Sequence, residues 1–171
     1  MAIIETILLI LVTFALPVPI WLVILHAILA TLKGKIRIIT YLSLGLFWLL
    51  SFILVFSNKQ IIFDYRFETN LIFQFLAILS LIMAIIIDIL TVHILGYRRL
   101  SCFTEMKGNS SNELVTSGIY KYARHPRYVE YVLLSLFFCF WFGNYFFLVF
   151  AIYLLIAFLI ATIFEEKELI K

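Results

Sequence analysis

Apolar residues in this chain neither alternate with polar ones nor keep to a single helical face. They run in unbroken stretches separated by short polar joints. A run of about 20 residues crosses a bilayer as a helix, with roughly 17–25 possible once tilt is allowed. A transmembrane β-barrel would instead show apolar and polar positions in alternation. Five runs are long enough. The first extends from about Ile7 to Leu32 and is broken by Pro17 and Pro19, which predict a kink. The second is Ile36–Phe56 and the third about Leu71–Leu95. The fourth begins near Pro126 and ends near Phe142, and the fifth is about Tyr145–Phe164. The pattern predicts an all-α integral membrane protein with five transmembrane helices. The last two would form a helical hairpin folded at Gly143-Asn144.

The joints sharpen this picture. Lys33-Gly34-Lys35 links the first two runs, and Ser57–Asn70 links the second and third. Only Arg98–His125 is long and polar, and it contains the turn-like stretches Gly108-Asn109-Ser110-Ser111 and Thr116-Ser117-Gly118. Any chemistry on a water-soluble molecule belongs there and at the chain end beside it. The natural division is three helices in residues 1–100, then a polar segment, hairpin and short tail in residues 101–171.

Composition excludes the soluble alternatives. Hydrophobic residues make up 65% of the chain against a usual ~45–50%, and charged residues 13% against ~25%. Mean hydropathy is +1.13. A soluble domain could not hide that much apolar surface, which excludes a soluble enzyme, a nucleic-acid-binding domain and a disordered chain. The 18 Phe, 9 Tyr and 3 Trp suit lipid contact and interfacial belts. Cys102 and Cys139 offer neither a disulfide framework nor metal-ligand spacing. The start, Met1-Ala2-Ile3-Ile4-Glu5, lacks the basic region of a signal peptide, so the first run is expected to be a retained span.

Charge placement orients the helices. With five spans, Lys33, Lys35, Arg37, Arg98, Arg99, Lys107, Lys121, Arg124, Arg127, Lys167 and Lys171 share one side, 11 of the 13 basic residues, leaving Lys59 and Arg66 on the other. Basic loops stay in the cytoplasm, so the N-terminus lies outside and the C-terminus inside, in a bacterial inner membrane or an endoplasmic reticulum alike.

The expected hairpin brings polar groups together. Counting from its fold, Glu165 falls level with about Tyr122 and Ala161 with about Pro126. Cations, a His, several Tyr and two carboxylates would then converge at the cytoplasmic interface. One reading is an anchor, with Arg and Tyr gripping headgroups. Against it, Glu165-Glu166 at a helix C-terminus oppose the macrodipole. Pro126 suits a first helical turn, where its missing N–H costs nothing. Asp88 lies within the third span, where an ionisable group is expensive; it is either functional or hydrogen-bonded to a neighbour with help from Thr91. His26 and His93 read as interfacial histidines.

Three blocks carry a resemblance: Leu114-Val115-Thr116-Ser117-Gly118-Ile119-Tyr120, Arg124-His125-Pro126-x-Tyr128, and, after two spans, Glu165-Glu166-x-x-Leu169. Together, from about Glu105 to Leu169, they closely resemble the isoprenylcysteine carboxyl methyltransferase family, part of a wider group that includes phospholipid N-methyltransferases. The resemblance implies S-adenosylmethionine bound at the cytoplasmic membrane face. By position its contacts would be Glu105, Asn112, Glu113, Leu114, Val115, Tyr120, His125, Pro126, Arg127, Tyr128 and Glu165, with Arg124, His125 and Glu165 in catalytic roles and no metal. Residues 101–171 would then be the cofactor-binding part. Backbone groups around Leu114-Val115 can bond the cofactor's polar edges, and Tyr120 and Tyr128 can offer ring faces to a sulfonium or adenine. Glu165 can pair with its ammonium. His125 would act as a donor, because methylating an ionised carboxylate removes no proton. Catalysis would rest on positioning and desolvation.

The implied acceptor is first a C-terminal isoprenylcysteine carboxylate and second a phospholipid amine; an inactive membrane relative is the non-enzymatic alternative. Several positions depart from the family pattern. Ala161 stands where relatives have Arg, Glu105 where they have Gln, and Glu130 where they have Gly. Relatives also continue with an aromatic-rich tail where this sequence ends at Lys171, which implies a short member.

The charge asymmetry is directly testable. Tags placed in the Lys33–Lys35 joint and after Lys171 should both be cytoplasmic, and a tag at Lys59 should face the opposite side. Labelling of Lys59 and Lys171 from the same side refutes five spans.

Overall fold

A computed structural model of the chain describes residues 2–29, 36–100 and 117–169. Among these residues the regular structure is helical. The order is α1 (Ala2–Ala15), α2 (Val18–Leu29), α3 (Ile36–Ser57), α4 (Lys59–Asp64), α5 (Leu71–Leu100), a 3-10 turn (Gly118–Lys121), α6 (Pro126–Phe142) and α7 (Tyr145–Leu169). The first apolar run is thus two helices, broken where Pro17 and Pro19 withhold their N–H groups. Among the described residues three segments are long and apolar enough to cross a membrane: Ile3–Ile24, Leu71–Gly96 and Tyr145–Phe164; Gly45–Ser57 is a shorter apolar helix. α6 has 17 residues and spans about 26 Å at ~1.5 Å per residue, short of a ~30 Å hydrocarbon core. The joint after α3 holds the short helix α4, and α5 is interrupted at Gly96, where φ is 69°.

The chain divides into two compact units. One comprises Met1–Arg66 and the residues from Tyr153 onward; the other is Phe67–Ile152, so α7 contributes to both.

In the first unit α1 packs on α3. The Ser51 hydroxyl donates to the Thr13 carbonyl at 2.9 Å, and Phe14 meets Trp48 edge-on at 5.7 Å. The Tyr153 phenol donates to the Leu16 carbonyl at 2.6 Å, where the break between α1 and α2 leaves an acceptor over. Leu8, Val12, Val55, Leu154 and Phe158 are buried.

In the second unit α6 packs antiparallel on α5. Phe73 stacks on Phe140 at 5.9 Å, and some twenty residues further along α5 Ile94 lies against Gly118. Ala77 and Ala84 are fully buried on α5; such small side chains let helix backbones approach closely. Gly143 caps α6 in the left-handed conformation, φ 59° and ψ 44°. Its carbonyl accepts the Phe67 N–H at 2.7 Å, and a β-carbon there would run into the Phe67 carbonyl. Asn144 Oδ1 then accepts the Phe146 N–H at 2.8 Å, and the Ser135 hydroxyl donates to the Phe147 carbonyl at 2.8 Å.

Gly143→Ala should therefore destabilise the protein, by about 1–2 kcal/mol for the left-handed backbone alone and more for the collision. Gly45, with nothing within 4 Å of an added β-carbon, is the control. Thermal unfolding in detergent should show a lower midpoint for Gly143→Ala and none of that loss for Gly45→Ala.

Candidate functional site

The described residues resume at Ser117, and the turn that follows lies against the end of α5. Gly118 leaves no room for a β-carbon beside Ile94, which holds the 3-10 turn against α5. The turn closes through Tyr120 N–H to the Ser117 carbonyl at 3.3 Å and Ala123 N–H to the Ile119 carbonyl at 3.0 Å. His125 precedes α6 in a non-helical conformation, φ −127° and ψ 64°, and Pro126 opens the helix. A proline N1 has no N–H to waste, so the helix begins there sharply.

This gathers aromatic and cationic side chains within one short stretch. The rings of His125 and Tyr128 stack 5.1 Å apart and nearly parallel, at 5°. Both residues are half-buried, and Pro126 is buried. Tyr120 is half-buried as well; burial pushes its phenol above the usual value of 10.0, and the Arg127 guanidinium pulls partly the other way. Arg127 Nη2 donates to the Tyr131 hydroxyl at 3.1 Å, and its guanidinium carbon lies 5.8 Å from that ring's centroid. Residues four apart share a helix face, which lets one arginine make both contacts.

A further turn into α6 stands Glu130. It is only 8% exposed, and its Oε2 meets no hydrogen-bond donor among the described residues. Asp88 of α5 and Arg127 are the charged groups acting on it. Thr91 is fully buried on α5, and its Oγ1 also lacks a partner among the described residues. Thr91 thus gives Asp88 no hydrogen bond among the described residues, and Asp88 is exposed on α5.

Of the residues singled out from sequence, Tyr120, His125, Pro126, Arg127 and Tyr128 come together at the start of α6. Arg124 is exposed beside them. Glu105, Asn112, Glu113, Leu114 and Val115 lie outside the described residues. Glu165 lies on α7 in the other unit and its side chain is outside the described set; Glu166 is half-buried there and Ala161 fully buried. Tyr131 was not singled out, although its four-residue spacing from Arg127 was the available signal. His93 is exposed.

The arrangement offers a flat aromatic pair to a heteroaromatic ring or a cation, guanidinium groups to an anion, and carboxylates to an ammonium. Residues 72–171 match the family profile described as phospholipid methyltransferase, a stretch that takes in α5, the turn, α6 and α7. No curated protein and no solved structure matches the chain.

Proposed function

The chain belongs to the phospholipid methyltransferase family, and from that premise we propose that it transfers a methyl group from S-adenosylmethionine to the amine of a membrane phospholipid. The family match carries this reading, because it falls on the helices that assemble Tyr120, His125, Arg127 and Tyr128.

The side chains suit that cofactor. The stacked His125–Tyr128 pair offers a face to adenine or sulfonium, and Tyr120 offers a half-buried phenol. We assign the polar edges to Glu105 and Asn112–Val115, the ammonium to Glu165, and the whole cofactor segment to residues 101–171. When bound, S-adenosylmethionine supplies an electrophilic methyl carbon. The chain's own part is to align the acceptor and exclude water, which the apolar helices favour. An amine must lose a proton on methylation, and His125 at the head of α6 is the group we assign to take it. We further propose the five-span topology, with α3 and α6 crossing beside the three long apolar segments and the C-terminus in the cytoplasm.

A second acceptor, the isoprenylcysteine carboxylate, is favoured by the three sequence blocks around Tyr120, His125 and Glu165. Ala161 counts against it: with no arginine at that position, a carboxylate would depend on Arg124 or Arg127. A catalytically inactive relative is the remaining alternative.

The test is transfer of labelled methyl groups, in detergent, to phosphatidylethanolamine and to a prenylcysteine, alongside binding of S-adenosylhomocysteine. Micromolar binding and labelling of phosphatidylethanolamine are expected. Glu165→Gln should weaken S-adenosylhomocysteine by roughly 10- to 150-fold, as for loss of one charged hydrogen bond. Labelling of prenylcysteine alone would move the acceptor to a carboxylate. Absence of both binding and labelling would leave the inactive relative.

A further inference from the structure

The stretch that leads into α6 has two faces. Tyr120, His125, Arg127 and Tyr128 are half-buried, whereas Lys121, Tyr122 and Arg124 are exposed. Tyr122 is the extreme case, 87% exposed. Its backbone is nonetheless fixed, since its N–H donates to the Ile119 carbonyl at 3.1 Å and closes the turn.

The depth of this outer face is set by α5. Gly118 fits against Ile94 with no room for a β-carbon. Ile94 lies two residues before Gly96, where the membrane-capable segment Leu71–Gly96 ends. On the other side α6 begins at Pro126 and already exposes the apolar Val129. Lys121, Tyr122 and Arg124 therefore stand where hydrocarbon gives way to headgroups.

Their chemistry selects the kind of headgroup. Residues 117–129 carry Lys121, Arg124 and Arg127 and no Asp or Glu. A guanidinium bonds two phosphate oxygens at once, and an ammonium meets the same group as a point charge. A phenol suits this boundary, with its ring towards the acyl chains and its hydroxyl towards the headgroups. A zwitterionic headgroup brings an ammonium of its own, which two neighbouring cations repel. An anionic phosphodiester brings none. Each basic residue near an anionic leaflet adds about fivefold to the attraction.

We propose that the exposed face formed by Lys121, Tyr122 and Arg124 docks on the headgroup of an anionic phospholipid, and that this docking seats the turn whose inner face carries Tyr120 and leads into His125. The docked lipid is not the methyl acceptor, because it needs no amine. Docking stands without methyl transfer; only its effect on catalysis rests on the function proposed above.

The test puts p-benzoylphenylalanine in place of Tyr122 in the full chain, which keeps an aromatic ring and makes it photoreactive. The protein is irradiated in vesicles of equal phosphatidylcholine and phosphatidylglycerol, and adducts at that position are identified by mass spectrometry. Phosphatidylglycerol adducts should be in several-fold excess. Lys121→Glu should bring the ratio down by about fivefold or more. Lys59→Glu, at an exposed lysine that opens α4, should leave it unchanged. Equal adducts of the two lipids without a charge substitution, or adducts to protein instead of lipid, overturn the docking. An equal loss with Lys59→Glu overturns its location at the turn. In nanodiscs with a fixed share of phosphatidylethanolamine, replacing phosphatidylcholine by phosphatidylglycerol should raise the rate of methyl transfer, and Lys121→Glu should flatten that response. A wild-type rate indifferent to phosphatidylglycerol overturns the seating. Excess phosphatidylglycerol adducts with no methyl transfer in any lipid would uphold the docking while refuting the enzymatic reading.

Discussion

Hydrocarbon offers no partner to a polar group, so each polar group among these helices must be met by another or left at a cost. Much of the architecture follows from that demand. The break between α1 and α2 leaves the Leu16 carbonyl over, and the Tyr153 phenol takes it. Thr13, Ser80 and Thr162 bond back to carbonyls one turn earlier in their own helices. Ser51 and Ser135 bridge to a neighbouring helix. Arg127 satisfies part of its charge with a hydroxyl and an aromatic face on its own helix, before any ligand is considered. Against this background the oxygens Glu130 Oε2 and Thr91 Oγ1 stand out as buried and without a partner among the described residues, and they lie on the two helices whose packing organises the second unit.

The helices were readable because continuous apolarity is a strong signal of length. Ile36–Phe56 became α3 with one residue added, and Pro126–Phe142 matches α6, whose ends are marked by a proline and a left-handed glycine. The same uniformity hides the rest. A helix apolar all round does not announce which face meets which neighbour, so the pairing of Phe73 with Phe140 had no counterpart in the pattern. The first run concealed two helices, since apolar composition continues straight through Pro17 and Pro19. α4 is a single short element inside a polar joint, too brief for periodicity to show.

The site was legible in part for a related reason. The block from Tyr120 to Tyr128 is dense in charge and aromatic rings, and the structure gathers it at the head of α6. Glu130 drew notice only as a departure from a resemblance. Its burial depends on α5, far away in sequence, and no local pattern reports that. Tyr131 went unnoticed because its role comes from a contact with Arg127. The family match over residues 72–171 covers both the legible block and the buried Glu130. Position 161 is a fully buried alanine.

The proposed methylation of a lipid amine is most directly tested on membranes themselves. The chain is produced in cells rich in phosphatidylethanolamine, and the extracted lipids are compared by mass spectrometry with those of cells carrying the Glu165→Gln variant. An amine-methylating enzyme should give mono- and dimethylated ethanolamine lipids with the wild-type chain and far less with the variant. Unmethylated ethanolamine lipids in both, with prenylcysteine methylated by the same membranes, would contradict it.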